Sequence, residues 1–286
     1  MRVPIAAIFA GCVIPDFPWI VQRLIDATGI SLEPISSYAY SIAQASLFVC
    51  FFACMAFGFL FTNCRLVAVF AFLSCSTHLL LDSLQDKWGN GVHLLAPFNW
   101  EVFSLGVFHI DSSLIYGLSF AGIIPFFFIS KARQDARSLC LNRVRLAACG
   151  ACLLVYLLVP FFLTSDVIAS DSRYLQTLEN IDERPGKLLE LDRETARVEG
   201  DTWYTTTHVG EDLSIVNPDV EMKSGDTYSF RAEFVDERRI RLIDWKRHSQ
   251  MRDVASIIGL LAIGCWMAMV LILSRRLNSE ASPDAA

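Results

Sequence analysis

Apolar and polar positions fall along this chain in long blocks. Five blocks carry no Asp, Glu, Lys or Arg: Tyr40–Cys64, Leu66–Leu81, Ser112–Ser130, Leu146–Ser165 and Val254–Ser274. A helix needs about 20 apolar residues to cross a bilayer, and four of the blocks reach that length. Leu66–Leu81 is shorter and holds His78, and a sixth block, Val3–Pro15, is marginal in length. The pattern predicts helices near 3–15, 40–62, 65–84, 112–130, 146–165 and 254–274, with polar loops over 16–38 and 85–111.

Residues 166–252 follow another pattern. Short runs rich in β-branched and aromatic residues predict strands at Lys187–Asp192, Thr202–Val209, Asp226–Phe234 and Arg239–Trp245. Turn signals separate them at Pro185-Gly186, Glu199-Gly200-Asp201, Asn217-Pro218-Asp219 and Ser224-Gly225-Asp226. Four or five short strands predict a small β domain, with an OB-like barrel as the expected form. The chain therefore divides into a membrane-embedded part, 1–165 with five helices, a β domain, 166–252, and a last helix with a tail, 253–286. The expected fold class is a polytopic α-helical membrane protein of about six helices with an extracytoplasmic β domain.

Composition agrees. Hydrophobic residues make up 53% of the 286, and the mean hydropathy is +0.43, too apolar for an ordinary soluble domain. Basic residues set the orientation. Lys131, Arg133, Arg137, Arg143 and Arg145 lie between the fourth and fifth helices, Arg275 and Arg276 follow the sixth, and Arg65 and Arg2 fall on the same side. Six spans then put both termini in the cytoplasm. This reads as a multi-pass protein of the bacterial inner (cytoplasmic) membrane, its β domain on the periplasmic side.

The net charge is −6, and residues 166–252 alone hold 19 acidic and 13 basic groups, also −6. An acidic outer domain argues against nucleic acid, the usual ligand expected for an OB barrel. All nine cysteines lie in or beside the apolar blocks, so no disulfide framework is expected in the β domain. Cys149-x-x-Cys152 sits in an apolar helix and reads as packing. Arg2 with a short apolar run admits a signal peptide, and Phe9-Ala10-Gly11-Cys12 a lipoprotein cleavage site; an uncleaved first helix is the preferred reading.

The orientation gathers the chemical candidates at the outer face. Asp16 would end the first helix, His78 and Asp82 the third, and Asp111 would start the fourth. His78 and Asp82 are spaced i, i+4 on one helix face, so both can reach one ion. Ionisable residues in an apolar helix are functional candidates by default. Two carboxylates and a histidine suit Zn²⁺, Mn²⁺ or Fe²⁺ without selecting one. Asp16 reads either as a metal ligand or as a turn aspartate between Pro15 and Pro18. Asp111 reads as a further ligand, a general base or a helix N-cap. His109 and His93 are acid–base candidates or surface loop histidines. No Gly-x-Ser-x-Gly, P-loop or Gly-x-Gly-x-x-Gly is present, and His208 and His248 stand alone in the polar region.

Ser76–Trp100, with His78-x-x-x-Asp82, a Gly-containing loop and Leu94-Leu95-Ala96-Pro97-Phe98, resembles the predicted membrane-bound, metal-dependent hydrolases of YdjM type. Gly91, Leu94, Leu95, Pro97 and Phe98 match the family's loop, and Ile14-Pro15-Asp16 its Leu-Pro-Asp segment. His93 stands where the family has proline. The family's early histidine, its His-Arg-Gly-x-Thr-His-Ser segment and a second aspartate after Asp16 are missing. The likeness covers roughly the first 130 residues. It implies a hydrolase with Asp16, His78 and Asp82 as metal ligands and Asp111, where related members place an aspartate, as fourth ligand or base; His109 is added as a catalytic candidate from its own acid–base chemistry. Location at the membrane surface points to a lipid or lipid-linked ester or phosphoester as substrate, with membrane lipids as neighbours. The alternative is a non-catalytic scaffold or envelope-stress protein that binds an envelope partner through its β domain. A transporter fits less well, because helices 2, 4, 5 and 6 carry almost no ionisable residues.

Overall fold

The computed structural model describes residues 5–30, 32–89, 91–109, 112–117, 121, 140, 142–216, 222–249, 254, 257–259, 261 and 264–265. Helix α1 (Ile5–Val13) runs through a 3-10 turn (Ile14–Asp16) into α2 (Phe17–Ala27). Then follow α3 (Pro34–Gln44), α4 (Leu47–Phe59), α5 (Cys64–Ser83), α6 (Arg143–Ser170) and the short α7 (Leu175–Glu179). Among the described residues three helices are long and apolar enough to cross a membrane: Ile5–Ala27, Cys64–Ser83 and Arg143–Ser170. The pair α3 and α4, bent by 66°, makes a fourth if it is one span. The expected helices at 112–130 and 254–274 fall mostly outside the described residues.

Three sequence expectations are corrected. The first helix does not end at Pro15 but continues to Ala27 as one 23-residue run. Proline has no N–H to give, so Pro15 and Pro18 locally replace α-helical bonding with a 3-10 turn without ending the run. The expected 40–62 helix is two helices. Gln44 turns its amide across to the Tyr156 carbonyl of α6 (3.4 Å), Ser46 is extended, and α4 restarts with Cys50 N–H on Ser46 O at 2.9 Å. The expected 16–38 loop is largely helix. Pro34 opens α3, and the Glu33 carboxylate caps it by accepting from Ile35 N (3.2 Å) and Ser36 N (2.6 Å).

Close packing fixes the helices against each other. α1 crosses α5 at Gly11, where a Cβ would lie 2.1 Å from Ala71 O. Ser74 Oγ donates to Ile8 O across the same contact (2.8 Å). Small residues let backbones approach this way in apolar surroundings. At the far end, Arg145 donates to Phe61 O (2.5 Å) and Thr62 O (3.2 Å), holding the start of α6 against the α4–α5 turn.

The β domain has β1 (Leu188–Glu199), β2 (Thr202–Thr206), β3 (Asp212–Ile215), β4 (Thr227–Phe234) and β5 (Arg239–Arg247). The strand β3 was not foreseen; with four residues it is too short to show a pattern. Every strand pairs with two neighbours, in the order β1-β2-β3-β5-β4 and back to β1. All pairings are antiparallel except β3 with β5, joined through Ser214↔Arg239 and Ile215↔Ile240. A bulge shifts the β1–β4 register between Leu191 and Glu194, with Arg193 at φ 62°. The extra residue turns Glu194 toward the interior. The β core of Leu189, Leu191, Phe230 and Phe234 is continuous with Tyr38, Ala39 and Ile42 of α3. The β domain therefore sits directly on a helix of the apolar part.

Candidate functional site

The 3-10 turn interrupts an otherwise apolar run and presents Asp16, whose side chain is half exposed. The Gly11–Ala71 contact brings that turn beside the last two turns of α5. His78 Nε2 there lies 3.6 Å from Asp16 Oδ1 and 3.7 Å from Asp82 Oδ2. These are close charge contacts, longer than hydrogen bonds. Two residues from one helix and one from another, distant in sequence, share a single cluster.

The end of α5 completes the surroundings. Asp82 Oδ1 accepts from Gln85 Nε2 at 2.9 Å, and Asp82 Oδ2 accepts from Lys87 Nζ at 3.2 Å. Sequence reading missed Lys87 and Gln85. Their spacings of five and three residues from Asp82 were visible, but the chain leaves the helix at Leu84 and helical spacing no longer applies.

The segment after α5 folds back on itself. Asp86 N donates to Phe108 O (2.8 Å), and Phe103 N donates to Val92 O (2.9 Å). His109 stands beside this pairing, with Nδ1 3.6 Å from Asp86 Oδ2. The structure therefore pairs His109 with Asp86, and Asp111 lies outside the described residues. His93 is buried; its Nδ1 donates to Trp100 O at 2.8 Å, and burial pushes its pKa down. A neutral ring holding a carbonyl is a structural anchor. The same segment meets the β domain. Gly89 N donates to Glu190 Oε2 (3.2 Å), the Arg231 guanidinium lies 4.7 Å from the Trp88 ring centre, and Arg173 and Arg231 both pair with Glu190. One short segment thus links the Asp82 end of α5 to β1 and β4.

Metal ligands about 2.1 Å from an ion stand roughly 3.4 Å from one another in a tetrahedral site. The His78 contacts of 3.6 and 3.7 Å are near that separation, and the donor types are right. The arrangement is nevertheless not a ready cage: among the described residues no group of three or more His, Cys, Asp or Glu is placed to hold a metal ion. The Lys87 ammonium already holds Asp82 Oδ2, so an ion would have to displace it. Comparison with protein-family models, curated proteins and solved structures finds no match to this chain.

Proposed function

We propose that the protein is a membrane-bound hydrolase of the outer membrane–water interface. Its centre is Asp16, His78 and Asp82, and its substrate is a lipid or lipid-linked ester or phosphoester. One observation carries this reading: residues 62 positions apart, on two apolar helices, meet as a histidine between two carboxylates. Apolar segments do not collect such groups without use. A divalent ion, Zn, Mn or Fe, held by the three side chains would supply Lewis acidity toward the ester and acidify a water. Lys87 would pair with Asp82 when no ion is present and turn toward a substrate phosphate when one is. His109, held by Asp86, is available as a proton carrier at the mouth of the same segment. The likeness of Ser76–Trp100 to the YdjM-type hydrolases supports the same chemistry. The basic loops support an inner-membrane location with the β domain in the periplasm. The strand order and the parallel β3–β5 contact support an OB-like form for that domain.

A second reading keeps its footing on one observation. Both Asp82 oxygens are already engaged by Gln85 and Lys87, as expected of a purely structural cluster in a scaffold protein whose β domain binds an envelope partner. Elemental analysis of detergent-purified protein separates the two. Near-stoichiometric Zn, Mn or Fe, lost in both His78→Ala and Asp82→Ala, supports the hydrolase. An apo protein that cannot be reloaded supports the scaffold.

A further inference from the structure

The loop between β2 and β3 rests on the helices. Thr207–Glu211 closes on itself, with Thr207 N donating to Glu211 O and Gly210 N to Thr207 O, both at 2.8 Å. The His208 ring stacks on Tyr38 of α3, with ring centres 5.9 Å apart. Tyr38 in turn meets Trp19 of α2 at 5.1 Å and Tyr174, between α6 and α7, at 5.4 Å. The Tyr174 hydroxyl lies against the main chain of His208 and Val209. Four aromatic rings from separate parts of the chain therefore hold this one loop to the helices.

Glu194 lies beneath the loop. It is buried, and among the described residues neither its Oε1 nor the buried Tyr174 hydroxyl has a hydrogen-bond partner. His208 Nδ1 stands 3.5 Å from Oε1, and the His208 main-chain N–H faces the same carboxyl group. A carboxyl group buried with so few donors favours its neutral form. Its neighbours reinforce this. Asp192 on β1 adds a like charge. Burial, with Arg23 of α2 and Arg193 of β1, opposes a positive charge on His208. Tyr38 and Tyr174 bring phenols and no cation. Asp171, at the end of α6, accepts from Tyr174 N at 3.1 Å and is itself raised to about 6 by burial. The acceptor without a partner thus sits under the loop that joins the β domain to α3.

We propose that Thr207–Glu211 is a proton-controlled catch between the β domain and α3: neutral Glu194 lets the loop close on Tyr38 and Tyr174, and the ionised carboxylate opens it to reach water. The catch holds whether or not the Asp16 cluster binds an ion. With the loop closed Glu194 titrates at about 8; with it open the ordinary value of 4.5 applies. The open form therefore loses its proton first. The opening constant rises about tenfold per pH unit up to about pH 8 and then levels off. Asp171 is ionised and His208 largely neutral by about pH 7, so the interval from there to about pH 8 reports Glu194.

The test is hydrogen exchange of the intact protein in lipid nanodiscs, read by mass spectrometry and corrected for the intrinsic pH dependence of amide exchange. In the wild type, protection of the Thr207–Glu211 amides should fall about tenfold between about pH 7 and pH 8; in Glu194→Gln it should fall less than about twofold. Strands β4 and β5 should stay better protected than the loop throughout. Tyr38→Leu removes the ring on which His208 rests. Its loop amides should be poorly protected already at about pH 6 and show no further fall. Three results overturn the catch. The loop of the wild type loses no more protection than that of Glu194→Gln. Strands β4 and β5 drop to the same level as the loop, which is unfolding of the whole domain. Tyr38→Leu leaves loop protection and its pH dependence unchanged. A Glu194→Gln loop unprotected even at about pH 6 overturns it too, because a neutral side chain should hold the loop closed.

Discussion

His78 Nε2 stands 3.6 Å from Asp16 Oδ1, across a helix contact that closes at Gly11, five residues before Asp16. A methyl group at Gly11 would lie 2.1 Å from Ala71 O and 2.8 Å from Ser74 Cβ. Backbone cannot yield as a flexible side chain does. Gly11→Ala should therefore push α1 off α5 and widen the Asp16–His78 gap, at a stability cost of about 1–3 kcal/mol. The measurement is thermal unfolding of detergent-solubilised protein together with its metal content. Loss of metal without any change of ligand would show that helix contact, and not donor chemistry alone, builds the cluster.

Lys87 is the residue that most directly opposes an ion at this cluster. Its ammonium sits 3.2 Å from Asp82 Oδ2 and is largely buried. Removing that charge in Lys87→Met leaves the ligands untouched and frees one oxygen. Metal affinity should rise about tenfold or more, equivalent to about 1.4 kcal/mol or more. Titration with Zn²⁺ or Mn²⁺ under a competing chelator reads this directly. A Lys87→Met protein that still binds no ion would favour the structural role of Asp82.

The chain's blocks of apolar residues made the helices legible, because lipid-facing segments must be long and nearly free of charge. His78 and Asp82 were legible as a pair, since i, i+4 spacing fixes a shared face. Their meeting with Asp16 followed only from topology, and its true basis was hidden. The turn at Asp16 lies within a 23-residue run, not at its end, because two prolines reshape a helix without stopping it. The break at Gln44–Ser46 was invisible for a similar reason. No proline or glycine marks it, and the deciding bond is to Tyr156 O, 112 residues away. Lys87 and Gln85 escaped because they lie just past the helix, where spacing rules fail. In the β domain, alternation revealed β4 but not the β1 bulge, which places a glutamate where the pattern predicts an outward residue.

Gly89 couples the segment after α5 to the β domain. Its φ is 66°, and a Cβ would lie 2.1 Å from Glu190 O. Gly89→Ala is thus both strained and blocked. It should detach the segment from β1, weaken the Arg231–Trp88 contact and raise protease sensitivity between Asp86 and Phe108, with little effect on the helices. Limited proteolysis of the intact protein, with cleavage sites mapped by mass spectrometry, checks this. An unchanged cleavage pattern would mean that the segment holds itself in place.

Arg184 anchors the entrance of the β domain. It is 1% exposed, and every guanidinium nitrogen is engaged. Nε donates to Thr177 O, Nη1 to Glu211 Oε1 (2.6 Å) and Glu237 O, and Nη2 to Leu178 O and Glu211 Oε2 (2.8 Å). Breaking such a pair from one side leaves a carboxylate and several carbonyls without partners. Arg184→Ala should destabilise the domain by about 3–5 kcal/mol. Lysine cannot reproduce the two-pronged geometry, so Arg184→Lys should recover only part of the loss. Denaturant titration followed by tryptophan fluorescence measures both.

Glu194 makes the β domain sensitive to alkali. The β1 bulge turns it inward, where it is 5% exposed, and Oε1 finds no hydrogen-bond donor among the described residues. Tyr174 and Asp192 are near, and His208 Nδ1 is 3.5 Å away. Burial pushes the glutamic acid up to about 8 and holds His208 below its usual value, so the imidazole does not compensate. The folded state therefore binds a proton that the unfolded chain releases above about 4.5. A folded pKa above the unfolded one stabilises fully at low pH, and the stabilisation fades as pH rises toward 8. Each unit of separation is worth about 1.4 kcal/mol, so the loss across this window is several kcal/mol. Glu194→Gln keeps the shape and removes the titration. Between about pH 5 and pH 9 the variant should lose clearly less unfolding temperature than the wild type, the remaining change coming from groups such as Asp171, which burial raises to about 6 in both proteins. Wild-type stability that instead rises across that range would place an ionised Glu194 in the folded domain and reverse the assignment.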